Sequence, residues 1–473
     1  MSRHVLIIGG GIAGLATAFY LQKRARASGA AVRYTLVEQD GRLGGKIVTD
    51  RPDGFVVEGG PDSFINQKPH GLQLCRDLGI EDELLPSNDA TYRTRLVRDG
   101  QLLPYPDGFR LAVPTRLWPF LRSTLLSAAG KARMGCDLFI PPNRSGRDES
   151  LAEFIRRRLG AGALDRIAGP IMAGIFVSDP ERMSVQCTFP MFVELERRYG
   201  SLIRGILAAR RGTTRAPRKR AAVQSVFTSL RGGMGRIVEA IAAQLGDPVL
   251  TGCRALSLRQ MLDGFEVEVQ GREGRTILSG SDLVLAVPAY EAARLVDPFH
   301  VRLAGALKRI RYVSSATVSL AFAGADAAAA PAGGGFGFVV PRGERSRLLA
   351  FTWSSRKFDH RAPADRHLVR AFVGGSRHEE LALLPDAALV RLVRDELAEL
   401  LGLRADPLGA WLYRWPAGNP QFDVGHLDRV AEMERLAAET PGLHLAGSAY
   451  RGLGIPDCVK SAQAVVDRIL GAP

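Results

Sequence analysis

The chain has 473 residues, of which 46% are hydrophobic and 24% are charged; these proportions are typical of globular proteins and exclude disorder, collagen and a coiled coil as the main architecture. The length predicts about three domains. The 63 Lys and Arg residues outnumber the 49 Asp and Glu residues by 14, which favours an anionic partner such as a lipid surface or a polycarboxylate. Nucleic acid is disfavoured as a partner because the basic residues are spread out and carry no recognition motif.

The cysteine and histidine spacings disfavour metal and disulfide chemistry. The five cysteines are far apart without a CxxC pair, and the eight histidines show no ligand spacing. We therefore expect no metal site, no disulfide framework and a reducing, cytoplasmic location. Residues 5–21 imitate a membrane span, but the stretch is slightly short and includes four glycines. It predicts a strand that turns into a helix, and we expect no transmembrane helix.

The first motif follows the order of a dinucleotide-binding unit. Residues 4–8 predict a buried strand, residues 9–14 (Gly-Gly-Gly-Ile-Ala-Gly) fit GxGxxG and lead into a helix, and residues 33–37 predict a second strand that ends at Glu38. In such a unit the glycines let a pyrophosphate approach, the N–H groups at the helix start neutralise its charge, and the acid accepts the ribose hydroxyls. A Gly-rich tight turn without a ligand is the alternative, but the complete order of features favours the dinucleotide.

The segment after the acid narrows the cofactor to FAD. Arg42 and the pair Gly44 and Gly45 form ExxxRxGG with Glu38, and residues 57–64 (Val-Glu-Gly-Gly-Pro-Asp-Ser-Phe) follow. This arrangement resembles the FAD oxidoreductases of the amine oxidase and protoporphyrinogen oxidase group, in which the Arg and the glycines approach the diphosphate and the flavin. The later loop lies under the isoalloxazine ring in that group; a plain turn after a hairpin is the alternative interpretation.

The middle of the chain predicts a change from helices to strands. Residues 115–200 read as mostly helical, and their basic amphipathic beginning fits either a lipid-facing helix or a core helix with snorkelling Arg side chains. The basic run 210–220 fits a solvated loop between domains or a patch for an anionic partner. Residues 265–270 and 282–289 predict strands, and residues 386–401 predict a helix.

The C-terminal stretch carries the second strong signal. Residues 442–450 predict a strand and a turn, and residues 452–459 lead into a last helix over 460–470. A turn at a helix N-terminus stabilises negative charge on a reduced flavin, so we expect a discontinuous flavin domain in which the chain ends meet. A second Gly-rich turn, residues 232–235, has no predicted buried strand before it. With no Cys pair in the sequence, this disfavours a pyridine-nucleotide disulfide reductase.

Further segments resemble the protoporphyrinogen oxidase family in particular, over nearly the whole chain: residues 337–341, 372–377, 414–427 and 447–458. The resemblance implies an α/β protein with a discontinuous Rossmann-like FAD-binding domain, an α+β substrate-binding domain and a mostly helical, membrane-associating domain. The expected limits are, in that order, 1–85 with 222–292 and 420–473; 86–106 with 293–419; and 107–221.

The resemblance implies a flavin oxidase of haem biosynthesis. It removes six electrons from protoporphyrinogen IX to give protoporphyrin IX, with O2 as acceptor and H2O2 as product. Flavin N5 accepts the hydride, so no side chain is expected to be catalytic. Coproporphyrinogen III is the alternative substrate, because its two extra carboxylates suit the net charge of +14. An amine oxidase, a phytoene-desaturase-like enzyme and a flavoprotein without catalysis are more distant alternatives.

The resemblance also assigns site residues and partners. The residues expected to bind FAD are Gly9, Gly10, Gly11, Ile12, Ala13, Gly14, Glu38, Gln39, Arg42, Gly44, Gly45, Gly59, Gly60, Pro61, Asp62, Cys253, Trp415, Gly447, Gly454, Ile455 and Pro456. Those expected to bind the substrate are Arg93 or Arg95 at a carboxylate, Ala173 and Gly174 at the propionate side, and Val339, Thr352 and Phe372 at the ring. Core packing is the alternative role for Val339 and Phe372. A homodimer, hand-over of the product to a ferrochelatase and peripheral attachment to the inner face of the cell membrane are left open.

Overall fold

The structure is a computed structural model that describes residues 3–88, 94–104, 109–110, 113–114, 122, 126–169, 177–213, 225–328 and 335–471. Three of the expected substrate-binding residues, Arg93, Ala173 and Gly174, lie outside the described residues, as does most of the basic run 210–220.

The described chain contains both long helices and extended strands. The strands are β1 (Arg3–Ile8), β2 (Val32–Val37), β3 (Thr49–Asp50), β4 (Val57–Glu58), β5 (Phe64–Ile65), β6 (Leu84–Pro86), β7 (Thr94–Arg98), β8 (Gln101–Pro104), β9 (Phe109–Arg110), β10 (Val113–Pro114), β11 (Phe227–Leu230), β12 (Val249–Leu250), β13 (Arg254–Met261), β14 (Gly264–Gly271), β15 (Gly274–Gly280), β16 (Asp282–Leu285), β17 (Tyr312–Ala323), β18 (Gly337–Val339), β19 (Leu348–Trp353), β20 (Arg366–Gly374), β21 (Gly409–Pro420) and β22 (Leu443–Leu445). The α-helices are α1 (Ile12–Ser28), α2 (Pro69–Leu78), α3 (Ala128–Gly135), α4 (Leu151–Leu159), α5 (Ala161–Ala163), α6 (Val185–Thr188), α7 (Pro190–Tyr199), α8 (Leu202–Thr213), α9 (Gly235–Ala242), α10 (Ala289–Val296), α11 (Val301–Lys308), α12 (Gly324–Ala328), α13 (Ser354–Lys357), α14 (Asp386–Leu401), α15 (His426–Ala438) and α16 (Ile455–Leu470).

The chain divides into two compact units, each made of separate segments. Unit 1 comprises Met1–Ser87, Val226–Arg311 and Leu427–Pro473, and unit 2 comprises Asn88–Ser225 and Tyr312–His426. The division into three domains made from the sequence stays a prediction.

Unit 1 is built on a five-stranded parallel sheet with the order β12-β2-β1-β16-β22. The central strand β1 is apolar and fully covered from Val5 to Ile8, as expected for a strand with helices on both faces. Helix α1 packs against the last helix, α16, and the two share one core that includes Phe19, Val459 and Val466. The predicted α/β class and the meeting of the chain ends are confirmed.

The ends of the two long helices of unit 1 follow from local chemistry. Helix α1 ends at Gly29, which takes a left-handed φ of +70° and donates its N–H to the carbonyl of Ala25. Helix α16 begins at Ile455 rather than at Lys460 as predicted, because Pro456 lies in its first turn, where a missing N–H costs no helical hydrogen bond.

Strand β11 corrects an expectation about the second Gly-rich turn. It is buried from Thr228 to Leu230 and leads directly into residues 232–235 and helix α9, so a buried strand does precede this turn. However, β11 pairs antiparallel with β5 and β6 and is not part of the parallel sheet. The sequence missed the strand because Phe-Thr-Ser-Leu is polar at two of its positions.

Unit 2 is built on a seven-stranded sheet with the order β21-β17-β20-β19-β18-β7-β8. Helix α14, which has the predicted limits, packs on one face through a core that includes Leu389, Val393, Phe351 and Ala371. The helices between α3 and α8 form a second core, which also takes in Leu96 of β7. Within the described part of the chain, no helix is long and apolar enough to cross a membrane.

Candidate FAD and substrate sites

The three motif glycines before helix α1 are required for different reasons. Gly9 has a φ of +108°, and a Cβ there would lie 2.6 Å from the carbonyl oxygen of Ala286 at the end of β16. A Cβ at Gly14 would lie 1.9 Å from the carbonyl oxygen of Gly9. A Cβ at Gly11, in contrast, would meet no atom of the described chain within 4 Å. Gly9 and Gly14 therefore serve the fold, whereas Gly11 keeps the helix start open.

That open helix start fits the diphosphate of FAD. Gly11 is the N-cap of α1, and no described side chain caps it. Ile12 and Ala13 are the first two residues of α1, a helix of seventeen residues. The N–H groups at the N-terminus of such a helix carry partial positive charge and attract phosphate.

Glu38 lies where the motif requires it and is held by backbone groups. Its side chain is 7% exposed. The N–H of Gly10 donates to Oε2 at 2.6 Å and the N–H of Asp40 donates to Oε1 at 2.8 Å. Each carboxylate oxygen has a further lone pair for a ribose hydroxyl. The exposed Gln39 follows directly, and the N–H of Cys253 donates to the carbonyl of Glu38 at 2.9 Å, so both lie beside this acid.

The ExxxRxGG segment closes back on the glycine turn. The N–H of Gly44 donates to the carbonyl of Gly10 at 2.8 Å. A Cβ at Gly45 would lie 3.1 Å from Cα of Gly11. Arg42 is exposed and donates from Nη2 to the carbonyl of Gly45 at 2.7 Å. The structure therefore brings the Arg and the Gly pair to the open helix start.

The loop over residues 59–62 packs tightly against the residues that follow the Gly pair. The N–H of Gly59 donates to the carbonyl of Val48 at 2.8 Å, and a Cβ at Gly60 would lie only 1.7 Å from the carbonyl oxygen of Lys46. Pro61 is partly exposed, and the carbonyl of Asp62 accepts a hydrogen bond from Ser229 at 2.7 Å.

The C-terminal residues of the motif set lie at the same end of unit 1. Gly447 has a φ of +128°, and a Cβ there would be 4.0 Å from Cβ of Ala13 in α1. Gly454 caps helix α16, and its N–H donates to the carboxylate of Asp457 at 3.2 Å. Ile455 and Pro456 are buried in the first turn of that helix. The N-terminus of α1 and the segment that leads into α16 therefore lie at the same end of unit 1, as predicted for a discontinuous flavin domain.

Two buried groups beside this region were given no role by the sequence analysis. Burial lowers the pKa of the Lys46 ammonium group, and burial raises the pKa of the Cys458 thiol to about 12. Lys46 follows the Gly pair, and Cys458 lies in the first turn of α16. In the sequence, Lys46 could have been noticed because it directly follows the motif residue Gly45. No sequence feature singles out Cys458.

In unit 2, the strand register places the expected ring-binding residues on one face of the sheet. Val339 pairs with Ala350, and Ala350 pairs with Phe372. Residues directly opposite each other share a face, as do residues two apart on one strand; Thr352 therefore joins them. Val339, Thr352 and Phe372 are all half-buried. Their role at the ring stays a prediction.

The same face continues across β17 to β21 and is rich in aromatic side chains. Thr317 pairs with Phe372 on one side and with Tyr413 on the other, and Trp411 and Trp415 lie two residues to either side of Tyr413. We call this surface the aromatic face: Val339, Thr352, Phe372, Trp411, Tyr413 and Trp415. Trp415 therefore belongs to unit 2, and its contact with FAD stays a prediction.

Arg95 lies on the other face of this sheet. It pairs with Phe338, which pairs with Phe351, and both aromatic rings belong to the core under α14. The Arg95 guanidinium approaches the carbonyl of Leu102 at 3.4 Å. Arg95 therefore lies on the face opposite Val339, because a strand turns successive side chains to opposite faces; the role of Arg93 or Arg95 at a substrate carboxylate stays a prediction.

Comparison with known proteins agrees with these features. The chain matches the family model described as flavin containing amine oxidoreductase over residues 12–470. It is 33% identical to the coproporphyrinogen III oxidase of Bacillus subtilis, over 99% of this chain and 98% of that protein. It is 31% identical to protoporphyrinogen oxidase 1 of Arabidopsis thaliana chloroplasts, over 97% of this chain and 86% of that protein. A crystal structure from Exiguobacterium sp. 255-15, provisionally assigned as a protoporphyrinogen oxidase, superimposes with a TM-score of 0.85 at 30% identity, covering 99% of both chains.

Proposed function

This chain belongs to the flavin-containing amine oxidoreductase family, and from that premise we propose that it oxidises coproporphyrinogen III to coproporphyrin III with O2 as the electron acceptor. The chain is an FAD-dependent oxidoreductase related to the porphyrinogen oxidases of haem biosynthesis. The observation that carries the choice of substrate is the 33% identity to the Bacillus subtilis enzyme over 98% of that protein.

The reaction sets modest demands on the side chains. FAD, when bound, would supply the acceptor for hydride from the porphyrinogen and the route for its electrons to O2. The chain binds the diphosphate at the start of α1 and holds Glu38 for the ribose by the backbone N–H groups of Gly10 and Asp40. The aromatic face offers a flat apolar wall of the kind a tetrapyrrole needs.

Net charge supports a substrate with more carboxylates. Coproporphyrinogen III carries four carboxylates and protoporphyrinogen IX carries two, and the chain has a formal net charge of +14. A positive surface raises the association rate of the more anionic substrate more strongly. The sequence alone favours protoporphyrinogen IX, whereas the identity to the Bacillus subtilis enzyme and the net charge favour coproporphyrinogen III.

Protoporphyrinogen IX is the second candidate, and two observations favour it. The segment from Phe372 to Arg377 resembles the protoporphyrinogen group, and the Arabidopsis relative is 31% identical over 97% of this chain.

The deciding experiment supplies each porphyrinogen, at matched concentrations, to the pure FAD-loaded protein under air and follows porphyrin fluorescence. We expect both to be oxidised and kcat/KM to be larger for coproporphyrinogen III. A larger kcat/KM for protoporphyrinogen IX would show that protoporphyrinogen IX is the preferred substrate. No fluorescence above the rate without enzyme would exclude a porphyrinogen oxidase. Peripheral membrane attachment, a homodimer and hand-over to a ferrochelatase stay predictions.

A further inference from the structure

Strand β21 carries a bulge directly beside the aromatic face. Ser315 of β17 pairs with Trp415, but the next pair of these two strands is Val313 with Asn419. One residue of β17, Ser314, therefore lies opposite three residues of β21. The side chain of Asn419 closes the bulge, because its Nδ2 donates to the carbonyl of Val313 at 3.2 Å and to the hydroxyl of Ser315 at 2.9 Å. Bulges redirect neighbouring side chains and are common beside functional sites, and the side chain next to this bulge is that of Trp415.

The bulge contains a strained backbone position. Ala417 has a φ of +42°, in the left-handed region that residues with a Cβ rarely adopt. Gly418 follows, and a Cβ there would lie 2.7 Å from Cβ of Trp415, so the bulge folds back against the Trp residue. Strain of this kind persists where the surrounding structure enforces it, and it is concentrated at ligand-binding and catalytic sites. The bulge therefore indicates a function for the residue it packs against.

Ser314 holds the bulge from the opposite strand. Its hydroxyl accepts a hydrogen bond from the N–H of Ala417 at 2.9 Å, and the residue is 6% exposed. Its own N–H donates to Oε1 of Glu379 at 2.7 Å, and its carbonyl accepts from the N–H of Gly375 at 2.8 Å. The backbone of Ser314 is thus fixed on both sides, so its hydroxyl gives the strained residue a fixed anchor.

Trp415 is partly accessible on the face that a tetrapyrrole would use. It is half-buried, as are Phe372 and Tyr413, so part of each residue is left uncovered. The contact that an aromatic side chain makes with a flat ring depends on the angle between the two planes. A bulge that fixes the plane of Trp415 before the ligand arrives therefore preorganises the aromatic face.

We propose that Ser314 is a positioning residue for the porphyrinogen: its hydroxyl holds the bulge that fixes Trp415 as one wall of the ring site on the aromatic face. This inference rests on the proposed function and deepens it. Ser314 acts only through Trp415 and takes no part in hydride transfer.

The first test follows the Trp415 ring itself and needs no porphyrin. The FAD-loaded protein is labelled with 5-fluorotryptophan, whose fluorine NMR spectrum contains one resonance for each of the four Trp residues, and Trp415→Leu assigns one of them. Ser314→Ala should shift or broaden the Trp415 resonance alone, because the bulge loses its anchor. Ser314→Thr keeps the hydroxyl and should keep the wild-type resonance.

Ser201→Ala is the matched control. Ser201 is also buried in unit 2, and its hydroxyl also accepts a backbone N–H, that of Arg204 at 3.1 Å. It lies directly before helix α8, away from the aromatic face. Ser201→Ala therefore imposes the same chemical loss without the bulge, and we expect the Trp415 resonance to stay unchanged.

The second test is a double-mutant cycle with the air-stable coproporphyrin III as the probe, and porphyrin fluorescence anisotropy gives its Kd. We expect Ser314→Ala to weaken binding about 5-fold in the wild-type background and to have no effect in the Trp415→Leu background, because the hydroxyl acts through that ring. Ser201→Ala should leave the Kd unchanged in both backgrounds. The FAD content of each variant shows whether it is folded.

Three outcomes would overturn the inference: an unmoved Trp415 resonance in Ser314→Ala, an unchanged Kd in Ser314→Ala, or an equal loss in both backgrounds. A lower FAD affinity with an unchanged porphyrin Kd would also overturn it, because Trp415 would then meet the cofactor alone. Failure of the wild-type protein to oxidise either porphyrinogen, with porphyrin binding intact, would instead overturn the proposed function.

Discussion

The turn before helix α1 and the turn before helix α9 are both rich in glycine and both follow a buried strand, but their surroundings differ. At α1, a Cβ on Gly11 would point into space that no described atom occupies within 4 Å. At α9, the N–H of Met234 donates to Oε1 of Glu58 at 2.7 Å, and the N–H of Gly235 donates to Thr49 at 2.8 Å. The chain itself uses the helix start at α9, whereas the start of α1 is left open, as the predicted diphosphate site requires. A glycine motif indicates a phosphate site only where its N–H groups are not already used.

The largest expected effect tests the open turn. Gly11→Val should lower FAD affinity by about 100-fold, because the new side chain enters the diphosphate space, while the melting temperature of the apoprotein stays unchanged. Flavin absorbance after desalting reports the FAD that stays bound, and calorimetry gives the melting temperature of the apoprotein. Gly41→Val is the matched control, because Gly41 also faces open space but lies outside the turn. Normal FAD content in Gly11→Val would contradict the diphosphate assignment.

The second effect tests the closed turn. Glu58 is 4% exposed and accepts hydrogen bonds from Met234 N–H and from Thr49. Glu58→Ala should lower the free energy of unfolding by about 2 kcal/mol, because the buried N–H of Met234 and the half-buried hydroxyl of Thr49 lose their acceptor. Urea unfolding of the FAD-loaded protein measures it. A fully stable Glu58→Ala variant would show that this turn does not depend on its internal acceptor.

The third effect concerns the acid of the open turn. Glu38→Gln should weaken FAD binding by about 10-fold, because an amide offers one acceptor oxygen in place of two. Isothermal titration of the apoprotein with FAD measures the change. Glu81→Gln, an exposed carboxylate of the same unit, serves as the control. An unchanged FAD affinity in Glu38→Gln would show that Glu38 does not bind the ribose.

The smallest expected effect is the pH-dependent loss of stability when the ion pair between Glu83 and Arg236, at the start of α9, is removed. Hydrogen bonds from Arg236 in the first turn of α9 hold the pKa of Glu83 below its usual range. A carboxyl group with a lowered folded-state pKa stabilises fully above its unfolded-state value of about 4.3, and that contribution is lost as pH falls through the folded-state pKa. Glu83→Gln should therefore cost about 0.5–1 kcal/mol at neutral pH, and the difference from wild type should shrink on acidification. A difference that is constant with pH would rule out the ion pair as its source.

The two units also differ in how much of their chemistry could be predicted from the sequence. The arrangement of the FAD-site candidates was predictable because backbone geometry makes it: Gly11, Gly14 and Glu38 have fixed spacings within one strand-turn-helix-strand unit, and their contacts with FAD stay predictions. The aromatic face was not, because its residues lie on strands that are distant in sequence and meet only through register. A shift of one residue turns a side chain to the opposite face, and the sequence alone does not fix that register.

The position of β16 between β1 and β22 has a consequence for synthesis of the protein on the ribosome. The nascent chain presents β1, α1 and β2 first, whereas β22 and α16 emerge only after the several hundred residues that lie between them. Until then the apolar side of α1 that α16 covers has no native partner, although domains usually fold as they emerge. Unit 1 therefore completes its fold only after the intervening unit 2 has been synthesised, and until then the uncovered apolar surface of α1 makes the nascent chain dependent on chaperones.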